Sequence, residues 1–172
     1  MKSPLGLSLF SAALSCSLVG YAQQQQPTFG ITVTALHDTV KAGEELRVSV
    51  VYRNISKEDQ WDDSDDWAPE RRGVLFKLIV RDAQGALLPL TERGKKLYSA
   101  CGVHVRWGSG PMILCHPGEG PPPVEIDVSK LYELNQPGQY TIQAGFFGDY
   151  CHWGGDGSNP RLSNIITVTV TP

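Results

Sequence analysis

Basic charge is in short supply in this chain. Fifteen Lys and Arg stand against eighteen Asp and Glu, a net charge of −3. A nucleic-acid face needs a basic excess to displace phosphate counterions, so no nucleic-acid partner is expected. Catalytic signatures are missing too. There is no His-Glu-x-x-His, no Gly-x-Ser-x-Gly and no phosphate-cradling glycine loop that opens a helix. Gly108-Ser109-Gly110 and Gly154-Gly155-Asp156-Gly157 read as turn glycine. The chain is therefore expected to be no enzyme and to need no cofactor. A helical period is also lacking, and Ser129 to Leu134 could make at most one helical turn.

Long apolar runs are confined to the N-terminus. Leu5 to Gly20 is apolar or small throughout, short for a membrane span, and runs into Gln23 to Gln26. Met1-Lys2 supplies a positive start, and Gly20-Tyr21-Ala22 places small residues where a signal peptidase needs them. Residues 1–22 thus read as a cleaved signal peptide, with secretion or a periplasmic location as the consequence. A lipid anchor would use Cys16, but Leu14 in Ala13-Leu14-Ser15 stands where a small residue is wanted. Cleavage would leave 150 of the 172 residues and remove only Lys2 of the basic set, for a net charge of −4. Residues 23–28 read as a flexible lead-in and 29–172 as one domain with no membrane span.

What the remainder does contain is period-2 alternation, the mark of sheets buried on one face. Phe29, Ile31, Val33 and Ala35 form one set; Leu46, Val48, Val50 and Tyr52 another. Val74, Phe76, Leu78 and Val80 follow, then Val124, Ile126 and Val128. Tyr140, Ile142, Ala144 and Phe146 precede a last set, Ile166, Val168 and Val170. Asp82-Ala83-Gln84-Gly85 is a turn, and a short strand is expected at Leu87 to Leu90. The fold class that follows is all-β, an immunoglobulin-like antiparallel β-sandwich of about seven strands. Pro137-Gly138-Gln139-Tyr140 opens the penultimate strand where that fold often places a tyrosine corner; a plain core aromatic is the alternative for Tyr140.

With the 87–90 strand counted, connections 55–73, 91–123 and 148–163 emerge at one end of the sandwich. Long connections on a rigid scaffold are where binding loops are found. The four tryptophans, Trp61, Trp67, Trp107 and Trp153, all fall outside the expected strands, as do Cys101, Cys115 and Cys151. The tryptophans are binding candidates for a protein or glycan partner, or they roof the sandwich. Cys101 and Cys115 enclose thirteen residues. A disulfide across a loop of that size contributes roughly 3 kcal/mol, but Cys151 is an equally good partner for either.

A histidine follows each cysteine closely: His104, His116 and His152. Thiolate and imidazole suit zinc or copper, yet no Cys-x-x-Cys occurs and export favours oxidised thiols, so structural disulfide with surface histidines competes with a metal site. The run Glu58 to Trp67 holds six acids, a carboxylate cluster that suits calcium. It lacks the calcium-loop spacing, and Arg71-Arg72 follow as counter-charges, so a solvated acidic loop is the plainer reading.

Two segments carry a resemblance. Asp127-Val128-Ser129-Lys130-Leu131-Tyr132-Glu133-Leu134 with Pro137-Gly138-Gln139-Tyr140-Thr141-Ile142-Gln143 resembles the β-sandwich region that precedes the catalytic domain of deuterolysin-like zinc peptidases. With Ser163 to Val170 it is also similar to a group of small exported Ig-like proteins of soil bacteria. Val40-Lys41-Ala42-Gly43-Glu44-Glu45-Leu46 through Asn54 is similar to both and, more loosely, to bacterial intracellular proteinase inhibitors. The resemblance spans 29–54 and 124–171 and implies the sandwich; no catalytic or inhibitory residue carries over. The expected function is a non-catalytic binding module acting through loops at one end. Two alternatives remain: a proteinase inhibitor presenting a disulfide-stiffened 101–115 loop, and a metal-binding protein using the Cys–His cluster.

Overall fold

The computed structural model describes residues 28–63, 76–99, 112–146 and 161–172. The leader and lead-in expected over residues 1–27 and the centres of the long connections lie outside the described residues. The fold is an all-β sandwich. One sheet holds three strands in the order β1 (Phe29–Ala35), β3 (Arg47–Asn54), β7 (Val124–Asp127). The other holds four, β2 (Thr39–Lys41), β9 (Arg161–Thr171), β8 (Gly138–Phe146) and β5 (Phe76–Arg81). All pairings in these sheets are antiparallel except β2 with β9, which is parallel. A separate two-stranded ribbon is formed by β4 (Gln60–Asp63) and β6 (Met112–Cys115).

The alternation that marked the strands becomes the core. Val33, Val48, Val50, Leu78, Val80, Ile142 and Val168 are all buried between the two sheets. Removing such apolar area from water is the main stabilising term of the fold. At one end the core is aromatic. Phe29 stacks on Tyr52 at 4.9 Å between ring centroids, and Tyr52 stacks on Phe146 at 5.1 Å. Phe76 closes the group at 5.7 Å from Phe146, and Arg161 donates to the Tyr52 hydroxyl at 3.0 Å. The start of β5, the end of β8, the start of β9 and the end of β3 therefore meet at this end.

Tyr140 makes a tyrosine corner, its hydroxyl donating to the Gln136 carbonyl at 2.7 Å. A second side chain ties the sheets together. The Asn164 amide accepts from the Val33 N–H at 2.9 Å and donates to the Val33 carbonyl at 3.0 Å. It thus replaces a missing neighbour strand on the open edge of β1.

Four expectations are corrected. Residues 87–90 form no strand: Leu87 bridges Arg81, Leu90 bridges Tyr132, and Pro89 between them has no N–H for a ladder. A helix, α1 (Glu92–Ser99), follows instead. Thr91 caps it, its hydroxyl accepting from the Gly94 N–H at 3.1 Å. Gly94 faces the 128–131 turn, where a Cβ would stand 2.2 Å from the Leu131 carbonyl oxygen. Val128 opens that turn and is not a strand residue; its carbonyl accepts from the Leu131 and Tyr132 N–H groups. Finally, Trp61 and Cys115 lie inside strands, β4 and β6, and not in loops.

The corner bond gives a direct check. Tyr140→Phe removes one buried donor and should lower unfolding free energy by about 1 kcal/mol, with an unchanged denaturant slope. An unchanged unfolding midpoint would show that the phenol contributes nothing there.

Candidate functional site

The ribbon β4–β6 stands at the aromatic end of the sandwich, and one side chain attaches it. Asn54, the last residue of β3, is 1% exposed. Its amide nitrogen donates to the carbonyls of Glu58 at 2.8 Å and Cys115 at 2.9 Å. Its amide oxygen accepts from the Ser56 N–H at 2.9 Å and the Ser56 hydroxyl at 2.7 Å. All four bonding positions of the amide are thereby filled. The Asn54 main chain adds two more bonds, from its N–H to the Glu119 carbonyl at 2.8 Å and from the Gly118 N–H at 2.9 Å. The segments before β4 and after β6 are both anchored on this residue.

The turn after β6 is His116-Pro117-Gly118-Glu119. Glu119 N–H donates to the His116 carbonyl at 2.9 Å, and Gly118 has φ +85°, the left-handed position glycine takes in such turns. Gly120 lies so near β3 that a Cβ would be 2.0 Å from the Tyr52 carbonyl oxygen. His116 Nδ1 lies 2.8 Å from Asp59 Oδ1, and the His116 N–H donates to the Glu119 carboxylate at 2.9 Å. The Asp59 bond, reinforced by the charges of Asp59 and Glu119, raises the His116 pKa above its ordinary value.

Register decides which side chains share a face of the ribbon. Trp61 lies opposite Leu114, and Gln60 opposite Cys115. The inner face buries Cys115 and Asp62. The outer face carries Trp61, 61% exposed, with Leu114 and Met112 also exposed. Among the described residues Cys115 is a free thiol. Burial first, then the charges of Asp62 and Glu119, pushes its pKa up, so it stays protonated and unreactive at neutral pH.

Of the residues singled out in the sequence, the structure brings Trp61, Cys115 and His116 together on and beside the ribbon. Trp67, Trp107, Trp153, Cys101, Cys151, His104 and His152 lie outside the described residues. So does the 101–111 part of the loop considered for inhibition. The acidic run is in part a strand: Asp59 pairs with His116 and Asp62 is buried. Among the described residues no three of His, Cys, Asp and Glu gather as metal ligands. Asn54, Glu119 and Arg53 were not singled out, and Asp59 only as one of the six acids of that run. Asn54 ends an alternating run on its buried phase, and a polar residue there is the signal that could have found it.

The connections 55–73 and 148–163 leave and re-enter at the aromatic end. The 91–123 connection begins at the far end, where the Thr91 hydroxyl donates to the Lys130 carbonyl at 2.7 Å, and arrives at the aromatic end through β6. No helix among the described residues is long and apolar enough to cross a membrane.

Two outcomes test this construction. Asn54→Ala leaves the buried Cys115 carbonyl and the Ser56 N–H without their side-chain partner and takes one of two donors from the Glu58 carbonyl, and should cost about 2–4 kcal/mol. Peptide-mapped alkylation should then find Cys115 reacting faster; an equally protected thiol would show that Asn54 does not hold the ribbon. The His116 bond gives a pH dependence. Its folded pKa is raised, so its contribution is complete below the unfolded value near 6.5 and is lost as pH rises through the folded value. Amide protection factors in β4 and β6, corrected for intrinsic exchange, should be higher at about pH 6 than at about pH 8.5, and His116→Gln should abolish the difference. The same pH trend in that variant would remove His116 as its source.

No family model matches the chain, and no curated protein matches it. Among solved structures it is similar to a β-glucosidase, EmGH1, from Erythrobacter marinus, at 21% identity and a TM-score of 0.39, covering 83% of this chain and 15% of that one. It is also similar to a chain of the human seminal-plasma complex of zinc 2-glycoprotein with prolactin inducible protein, at 11% identity and a TM-score of 0.35, covering 87% of this chain and 98% of that one.

Proposed function

We propose that this chain is an exported, non-catalytic Ig-like binding module that engages a protein or glycan partner through the ribbon end of the sandwich. The observation that carries the reading is the outer face of β4–β6. Trp61 is 61% exposed there, beside Met112 at 54% and Leu114 at 38%. Single exposed apolar residues are ordinary on a protein surface, but three on one face of a ribbon of two four-residue strands form a patch. Tryptophan offers a large contact area with few rotors to immobilise, which suits it as an anchor.

The support beneath the patch is rigid. Asn54 fixes both strands, the aromatic cluster fills the space below the end of β3, and the inner face is buried. A pre-organised surface loses less entropy on binding. The signal-like segment at residues 1–22 supports export to a secreted or periplasmic setting.

Affinity chromatography of the mature chain on immobilised envelope-protein and glycan fractions tests this reading. Trp61→Ala should weaken retention by at least about tenfold, since anchors of this kind are worth about 2 kcal/mol. Its melting temperature should stay within about 3 °C, because the ring is largely exposed. Equal retention of both proteins would sink the assignment of Trp61 as an anchor.

A further inference from the structure

Beside the ribbon lies an open slot of about 440 Å3. Ile113 and Leu114 of β6 form one wall, Arg53 of β3 stands in the other, and Gly118, Glu119 and Gly120 complete the lining. Three features of the slot bear on what it can hold. β6 pairs with β4 along one edge, and among the described residues its other edge has no strand partner. The Arg53 side chain is exposed, and its guanidinium makes no ion pair or hydrogen bond among the described residues. Two of the three turn residues have no side chain, and at Gly120 none could be added without striking the Tyr52 carbonyl. That close contact is Gly120 packing on β3 itself; at Gly118 nothing lies within 4 Å of where a Cβ would stand, and there an incoming main chain can approach the turn.

We propose that this slot receives an extended peptide segment, which adds a strand to the free edge of β6 and sets a carboxylate against Arg53. The proposal deepens the binding-module reading and rests on it only in placing recognition at the ribbon end. An open strand edge supplies main-chain donors and acceptors at a spacing of about 4.8 Å, and alternate side chains of the added strand meet the walls. Ile113 and Leu114 make that contact apolar. A guanidinium prefers a planar carboxylate, which it binds through two parallel N–H bonds.

Glu119 narrows the choice further. Its carboxylate lines the same slot while accepting from the His116 N–H. A small free anion would gain only the Arg53 contact and would feel this negative charge against it. A carboxylate carried on a peptide already held by the β6 edge tolerates it, and an amide N–H of that peptide can use the remaining oxygen of Glu119. The carboxylate is either the peptide's C-terminus or an Asp or Glu side chain. The chemistry at Arg53 is the same, and the experiment separates the two.

The test uses the full mature chain, isotope-labelled for amide chemical shifts, titrated with pools of random octapeptides. One pool has free C-termini, one is C-terminally amidated, and one is amidated with a fixed internal Glu. The free-carboxylate pool should shift the amides of Arg53, Ile113, Leu114, Gly118 and Gly120. Amidation should weaken binding about tenfold, the loss expected for one charge-assisted pair. Recovery with the internal Glu would identify a side-chain carboxylate as sufficient; no recovery would assign the C-terminus. Arg53→Gln should erase the difference between pools, and Trp61→Ala should leave it intact, which keeps this outcome separate from that of the ribbon face. The proposal is overturned if no pool shifts these amides at about 1 mM peptide, if amidated and free pools bind alike, or if Arg53→Gln still discriminates.

Discussion

The ribbon that carries the candidate site has no sheet to belong to, and its place in the molecule depends on the buried amide of Asn54. Two hydrogens and two lone pairs of that amide meet two carbonyls, an N–H and a hydroxyl, with none left over. A buried polar group is costly when unpaired and specifying when fully paired. Here the four bonds draw the 54–58 segment to residue 115, which lies 61 positions from Asn54 along the chain. A hydrophobic residue at the same position could bury as much area, but it could not choose which carbonyl lies beside it. The position of Trp61 and the opening of the slot beside β6 both follow from that choice.

The same device recurs at the sheet edges. An unpaired strand edge invites another chain, and here side chains cover two of them. The Asn164 amide answers both the N–H and the carbonyl of Val33 on β1. On β5, the Leu78 N–H donates to the Tyr98 hydroxyl at 3.1 Å, while the Tyr132 hydroxyl donates to the Leu78 carbonyl. Burial pushes the Tyr132 pKa upward, which keeps that hydroxyl a donor at any ordinary pH. α1 thus acts less as a layer of the fold than as the carrier of Tyr98. Against this background the second edge of β6, which has no strand partner among the described residues, stands out, since apolar side chains and a guanidinium without an ion pair among those residues line it.

The sandwich was legible in the sequence because its signal is local and repeated. Period-2 alternation in the segments of β1, β3, β5, β8 and β9 reports burial on one face, and burial on one face is what makes a sheet. Tyr140 was legible as well, since a corner depends on a tyrosine at a fixed place near a strand start. The ribbon was not. Gln60-Trp61-Asp62-Asp63 reads as an acidic loop, and Met112-Ile113-Leu114-Cys115 shows no alternation at all. Each is a strand only because the other lies opposite, fifty residues away, and no window along the chain contains both. α1 was hidden for a related reason. Gly94 weakens its helical pattern by about 1 kcal/mol relative to alanine, yet a glycine is required where the helix meets the Leu131 carbonyl.

Residues conspicuous by type turn out to act through quieter ones. Cys115 invites thoughts of disulfide or metal, but its buried thiol is held protonated, and what it contributes to the site is its main-chain carbonyl, bonded to Asn54. His116 invites the same thoughts, and its ring clips the end of β6 to the start of β4 through Asp59. The Cys115 main chain and the His116 ring thus support the geometry of the ribbon from beneath or beside it. The outer face is left to Trp61, Met112 and Leu114, and the slot to Arg53, none of which has a structural bond to make there among the described residues. A site built in this way separates its supports from its contacts, so a contact residue can change without unfolding the end of the sandwich that presents it.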